Sequence, residues 1–171
     1  MELIINKTWA MPSGFTFGIK PIKELIEKYH TAGITQSVDP FSGKNSPARV
    51  KNDINPEREA DFHLDALEFL KTLPNSFYDV AFFDPPYSFT QIKQLYDGLG
   101  KSLTCECNMK YWANIKTELA RVVRVGGIVI SCGWNSNGIG KTRGFEQIEI
   151  LLVAHGGNRN DTIVTVERRQ Q

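Results

Sequence analysis

The sequence predicts an α/β protein whose sheet is mostly parallel and closes with an antiparallel hairpin. Three observations predict it. Apolar runs of strand length alternate with segments of helical periodicity along the first three quarters of the chain. The run Tyr78-Asp79-Val80-Ala81-Phe82-Phe83 is almost continuously apolar, as strands covered on both faces are. Two later runs, Glu146 to Ala154 and Thr162 to Glu167, flank Gly156-Gly157-Asn158, which is turn chemistry.

The elements follow in order. Pro21 suits the first position of a helix, and Ile22, Leu25, Ile26 and Tyr29 recur at helical spacing toward Ala32, where Gly33 stops it. Ile34 to Val38 is a short strand ending at Asp39-Pro40. A polar loop over 42–47 leads to a second strand, Arg49 to Ile54, and a third, Ala60 to Leu64. Asp65 to Leu73 is a short helix through Leu67, Leu70 and Leu73. Residues 88–110 have no clear periodicity. Trp112, Ile115, Leu119 and Val122 mark a helix closed by Gly126-Gly127, and Ile128 to Ser131 is another buried strand. Asn135 to Gly144 reads as a flexible, basic loop, and Arg168-Arg169 as a solubilising tail.

Composition narrows the function. The chain has 171 residues, 41% apolar and 23% charged, which fits one domain (1–171) around one core. Twenty basic residues against nineteen acidic ones give a net charge of +1, so no global positive field marks it as a histone-like polyanion binder. The balance is uneven: residues 1–87 carry 9 basic and 12 acidic side chains, and residues 88–171 carry 11 and 7. If a polyanion binds anywhere, the second half is favoured. No apolar run approaches the roughly 18 residues of a membrane helix, so no membrane partner is expected. The first residues are acidic early and too short in apolar length for a secretory signal. Three cysteines without paired spacing argue for a reducing compartment and a cytoplasmic protein. Cys105-Glu106-Cys107 lacks the second ligand pair of a zinc site, and no metal is expected. Gly140-Lys141-Thr142 is not a phosphate-binding loop, because the glycine that motif needs at position 135 is Asn135.

The chemistry sits where strands end. In an open α/β sheet, ligands bind beyond the carboxyl ends of the strands, at the switch in strand order. Three predicted strands end at or near a carboxylate: Asp39, Asp53 and Asp84. One such Asp is explained equally well by helix capping. Three in the same relative place form a constellation. Asp84-Pro85-Pro86-Tyr87 is the most informative tetrapeptide. It can be read as a rigid strand exit, since both prolines fix φ and lack an N–H. The same rigidity leaves the Asp84 carboxylate and the Pro85 carbonyl as a pre-aimed pair of acceptors, which suits an amino group with two hydrogens. Tyr87 adds an aromatic face for a planar base taken out of its stack.

With those residues in view the chain resembles the S-adenosylmethionine-dependent amino-methyltransferases, in particular the adenine-specific (N6) DNA methyltransferases. Phe83-Asp84-Pro85-Pro86-Tyr87 is similar to their catalytic motif, and Asp39-Pro40-Phe41-Ser42-Gly43, placed 45 residues earlier, to their methyl-donor motif. Phe17-Gly18-Ile19-Lys20-Pro21 resembles the segment that opens a helix against the cofactor. The resemblance implies a Rossmann-like class I methyltransferase fold with a seven-stranded sheet and S-adenosylmethionine as cofactor. It implies cofactor contacts from Phe17, Lys20, Asp39, Pro40, Phe41 and Gly43, from Asp53 on the ribose, from Asp65 and Ala66 on the adenine, and from Asp84. Asp84, Pro85, Pro86 and Tyr87 would be catalytic, transferring a methyl group to adenine in DNA by direct in-line displacement.

Two departures matter. Only 13 residues lie between Asp39 and Asp53, so the usual glycine-rich turn and helix are short or missing. No separate target-recognition domain is expected in residues 1–171, which leaves 88–111 as a candidate recognition insert. Lys101, Lys110, Lys141 and Arg143 are candidate phosphate contacts, and a homodimer would supply further surface. RNA adenine, the 4-amino group of cytosine, a small-molecule amine, or a catalytically silent partner of the same fold are the alternatives.

Overall fold

The computed structural model describes residues 2–87, 89–100 and 109–170. Its seven strands are β1 (Ile4–Trp9), β2 (Ser37–Asp39), β3 (Val50–Lys51), β4 (Tyr78–Phe83), β5 (Val123–Gly133), β6 (Phe145–Ala154) and β7 (Thr162–Arg169). They form one sheet in the order β1-β6-β7-β5-β4-β2-β3. Strands β3, β2, β4 and β5 run parallel, β7 is antiparallel to both β5 and β6, and β1 lies parallel to β6 at the edge. The chain passes from β2 outward to β3 and then returns to β4 on the other side, so strand order switches between β2 and β4. That switch is where the predicted carboxylates sit.

Two apolar layers hold the sheet. Helix α1 (Lys20–Tyr29) has Pro21 in its first turn and buries Ile22, Leu25 and Ile26 among Val80, Phe82, Ile130, Leu151 and Val164. On the opposite face α2 (Ala66–Thr72) and α4 (Met109–Val122) bury Phe69, Leu70, Ile115 and Leu119 against Ala81, Phe83, Val129 and Phe145. The alternation in β4 follows: Val80 and Phe82 face α1, Ala81 and Phe83 face α2 and α4. A buried polar knot pins the α1 side. Glu149 accepts hydrogen bonds from Lys28 (2.6 Å), Tyr29 (2.6 Å) and Asn6 (3.0 Å), joining α1 and β1 to β6. Burial works against its charge, but the bonds from Lys28 and Tyr29 prevail and hold its carboxyl below the usual range.

Several expected elements differ. The strand expected over 60–64 is absent; Asn52 and Phe62 make one isolated bridge. The strand expected over 49–54 shrinks to two residues because Asp53 and Asn55 turn the chain, accepting from the N–H groups of Asn55 (2.8 Å) and Glu57 (2.9 Å). Gly126-Gly127 does not close α4. The helix runs straight into β5 at Val123, and both glycines lie within that strand. A Cβ on Gly127 would stand 2.7 Å from Val123 Cγ1 and 2.8 Å from the Arg124 carbonyl, where the β4–β5 register shifts. Two elements lacked a sequence signal: β1, whose Ile4 and Ile5 are 45% and 62% exposed and so carry no buried stripe, and α3 (Phe89–Gly98). Arg168-Arg169 is no tail but the end of β7, and Arg169 donates to the Val123 carbonyl. Among the described residues no helix is long and apolar enough to cross a membrane.

Candidate functional site

The carboxyl ends of β3, β2 and β4 lie side by side, so Asp53, Asp39 and Asp84 meet at one edge of the sheet. Asp39 is fully buried. It accepts from the Phe41 N–H (2.8 Å) and the Ser46 hydroxyl (2.6 Å), folding 40–46 back over β2 without lining the cleft above. Burial pushes its carboxyl up to about 7; its two hydrogen bonds oppose that, and the neighbouring Asp84 and Asp53 add to it. Asp53 accepts from the Gly43 N–H (3.0 Å), which clasps the same loop from the β3 side. Gly43 has φ +55, a conformation glycine tolerates freely.

Asn52 is the residue that replaces the missing strand. Fully buried, it donates to the carbonyls of Pro40 (3.1 Å) and Leu64 (3.0 Å) and accepts from the Leu64 N–H (3.0 Å). It thus ties three chain segments into one wall. Asp65 then caps α2, accepting from the N–H groups of Leu67 (2.9 Å) and Glu68 (3.3 Å), while its other oxygen accepts from the Tyr111 hydroxyl (2.6 Å) on α4.

These walls enclose a cleft of about 430 Å³. Of the predicted residues, Pro40, Phe41, Gly43, Asp53, Asp65, Ala66, Asp84, Pro85, Pro86 and Tyr87 all line it. Phe17 does not; it is buried with its ring 5.5 Å from that of Phe82. Lys20 does not either, and its exposed side chain lies 3.9 Å from Glu24 on α1. The cleft also takes in Thr16, Asn52, Arg58 and Tyr111, which sequence reasoning did not single out, together with Trp112 of the helix that sequence reasoning did mark. Thr16 is next to the quoted Phe17 and Asn52 next to Asp53, so position alone could have flagged both.

Asp84 is half-buried and lines the cleft. The Tyr87 hydroxyl donates to its carboxylate, and the Thr16 hydroxyl bonds it as well. Burial nonetheless holds the Asp84 carboxyl above its ordinary range, and burial beside Asp84 raises the Tyr87 phenol. The Tyr87 ring meets Trp134 edge-on, centroids 5.7 Å apart. Pro85, Pro86 and Tyr87, with Trp112, also line a second cavity of about 280 Å³ between β5 and α4. Cys132 borders that cavity; its thiol is buried and pushed well up, so it is neutral.

The 135–144 segment is pinned rather than flexible. Glu167 on β7 is fully buried and accepts from the N–H groups of Ile139 and Gly140. Arg143 donates to the Ile139 carbonyl (3.1 Å), Thr117 (3.1 Å) and the Ala113 carbonyl (3.3 Å), so its guanidinium clamps this segment to α4. Lys141 and Lys110 are exposed. Lys101, Cys105 and Cys107 lie outside the described residues. Among the described residues no three His, Cys, Asp or Glu side chains are grouped to hold a metal ion.

Solved structures show what fold this is. No family model and no curated protein sequence matches the chain. A methyltransferase from Escherichia coli superposes with a TM-score of 0.56 at 11% identity, covering 94% of this chain and 90% of the other. The Burkholderia thailandensis 1,6-didemethyltoxoflavin-N1-methyltransferase, solved with its namesake substrate and S-adenosylhomocysteine, gives 0.57 at 10% identity, covering 89% and 78%. An N-methyltransferase from Bradyrhizobium japonicum gives 0.57 at 10% identity, covering 89% and 96%. The sheet order and the closing β6–β7 hairpin are those of the Rossmann-like methyltransferase fold.

Proposed function

We propose that the protein is an S-adenosylmethionine-dependent methyltransferase acting on the 6-amino group of adenine in DNA. The observation that carries this reading is the Asp84-Pro85-Pro86-Tyr87 wall, whose last three residues line both cavities. A cofactor on one side and an acceptor on the other would meet across it.

The larger cleft fits the cofactor. Its volume lies within the ~300–1,000 Å³ of small-molecule sites. Asp53 and Asp65 offer carboxylates to hydroxyl and amino groups, Phe41 and Trp112 offer apolar ring faces 6.0 Å apart, and Gly43 leaves the donor loop free of a side chain. Pro40, Phe41, Gly43, Asp53, Asp65 and Ala66 would hold S-adenosylmethionine, which supplies a methyl group already activated by a positively charged sulfur. Asp39, which does not reach the cleft, acts by holding the 40–46 loop in shape.

The protein's remaining task is positioning. Asp84 and the Pro85 carbonyl accept the two N–H groups of the adenine amine, which turns the nitrogen lone pair out of the ring's conjugation and toward the cleft. Transfer is a direct in-line displacement. The raised proton affinity of Asp84 suits it to receive the proton that the amine sheds once methylated. Tyr87 presents its ring to the base. No covalent enzyme intermediate is needed, and the neutral Cys132 thiol has no nucleophilic part. Lys110 and Lys141 are exposed for phosphate contact, whereas the Arg143 guanidinium is engaged with α4.

The test is Asp84→Ala. It should abolish methyl transfer while cofactor affinity stays within a few-fold of wild type. Loss of both in a folded variant would sink this division of labour.

A further inference from the structure

The second cavity has a polar floor that the proposed reaction does not use. Ser131, on β5, and Lys116, on α4, line it together with Pro85 and Tyr87. Ser131 is 6% exposed and its hydroxyl has no hydrogen-bond partner. The half-buried Lys116 ammonium makes no hydrogen bond or salt bridge among the described residues. Glu167 acts on it through space, but the Glu167 carboxylate is already taken up by the Ile139 and Gly140 N–H groups. Burial lowers the ammonium's proton affinity, Arg143 lowers it further, and Glu167 pulls the other way.

Partnerless buried polar groups are costly, and native proteins keep few of them. Here the Ser131 hydroxyl is such a group, and the half-buried Lys116 ammonium, without a partner among the described residues, shares its cavity beside the acceptor wall. A volume of about 280 Å³ is the space of about nine waters at ~30 Å³ each. A bicyclic base with ten ring and amino atoms is smaller than that and fits inside it with room for water.

Resting on the adenine reading above, we infer that Lys116 and Ser131 determine which base the acceptor cavity takes, the Lys116 ammonium donating a hydrogen bond to a ring nitrogen of the acceptor. Adenine carries bare ring nitrogens that accept such a bond. A base with an N–H at that edge, as guanine has beside its carbonyl, would turn a donor toward a cation and be refused. Ser131 bonds the same edge of the ring and keeps the floor from closing as apolar packing would.

The experiment compares wild type, Lys116→Met, Lys116→Arg and Ser131→Ala as intact chains. The substrate is a duplex bearing the adenine that base mapping identifies, alongside matched duplexes with 1-, 3- or 7-deazaadenine in its place. One analogue should lower wild-type kcat/KM roughly 10- to 100-fold, the effect of removing a hydrogen bond to a charged donor. Lys116→Met should lose the same factor on adenine and no longer distinguish that analogue. Lys116→Arg should keep the discrimination, and Ser131→Ala should lose part of it, with cofactor affinity unchanged in every variant. If Lys116→Met does not fold, the other two variants still decide the matter. Wild type indifferent to all three analogues, or Lys116→Met with wild-type discrimination, overturns this assignment and leaves the methyltransferase reading standing. No adenine methylation by wild type in any nucleic acid overturns both.

Discussion

Glu167→Gln is the substitution whose cost the structure defines best. Glu167 is 0% exposed and is the acceptor for two consecutive backbone N–H groups, those of Ile139 and Gly140 (3.0 Å for the latter). The segment sits so close that a Cβ on Gly138 would stand 2.2 Å from Glu167 Oε2. Glutamine keeps the volume but replaces one acceptor oxygen with an NH2 group, so one buried N–H loses its partner and faces a donor. Such a group costs about 1–3 kcal/mol. At ~2–4 °C per kcal/mol for a chain of this size, Tm should fall by about 2–12 °C. Thermal unfolding followed by circular dichroism measures this, and amide exchange at Ile139 and Gly140 should quicken in parallel. An unchanged Tm with unchanged exchange would refute the claim that Glu167 pins the segment beside the second cavity.

Asp39 gives a pH prediction. Its folded-state value of about 7 stands above its ordinary 3.8, so the folded chain holds this proton more tightly and stability is lost as pH rises from about 4 to about 7. At 1.36 kcal/mol per unit the loss is about 4 kcal/mol, and urea unfolding of Asp39→Asn should lack that slope; parallel curves would contradict it. Tyr111→Phe removes the 2.6 Å bond to Asp65 that links α4 to α2, and Tm should drop by about 3–12 °C, the effect of about 1.5–3 kcal/mol. Lys141→Ala, on an exposed side chain, should lower the slope of log affinity for duplex DNA against log salt by about 0.9. An identical slope would remove Lys141 from the interface.

The buried parts of the fold were legible because burial writes periodicity into sequence. Ile22, Leu25 and Ile26 of α1 and the continuous apolar run of β4 are read directly from spacing and lie where that spacing requires. Strand β1 was not legible, since an edge strand with exposed isoleucines has no face to repeat. The segment over 60–64 misled for the opposite reason: its residues alternate, but Asn52 side-chain bonds do the joining that a ladder would have done. Gly126-Gly127 read as a helix stop because glycines end helices, yet Gly127 is there for the close approach of β5 to the Asp79 carbonyl. The strand-end carboxylates were legible as a group and their separate duties were not. Asp39 and Asp53 spend oxygens on the 40–46 loop, and Arg143 on α4, through partners distant in sequence. Lys116 and Ser131 carry no motif at all; only the cavity they share brings them into view.

The most direct test of the central claim is a map of modified bases. The intact protein and its Asp84→Ala variant are expressed in a host deficient in DNA methylation, and genomic DNA and total RNA are analysed for new methylated bases. The account predicts N6-methyladenine in DNA with the wild-type protein and none with Asp84→Ala. A wild-type protein that binds S-adenosylmethionine yet leaves every base unmodified would contradict it.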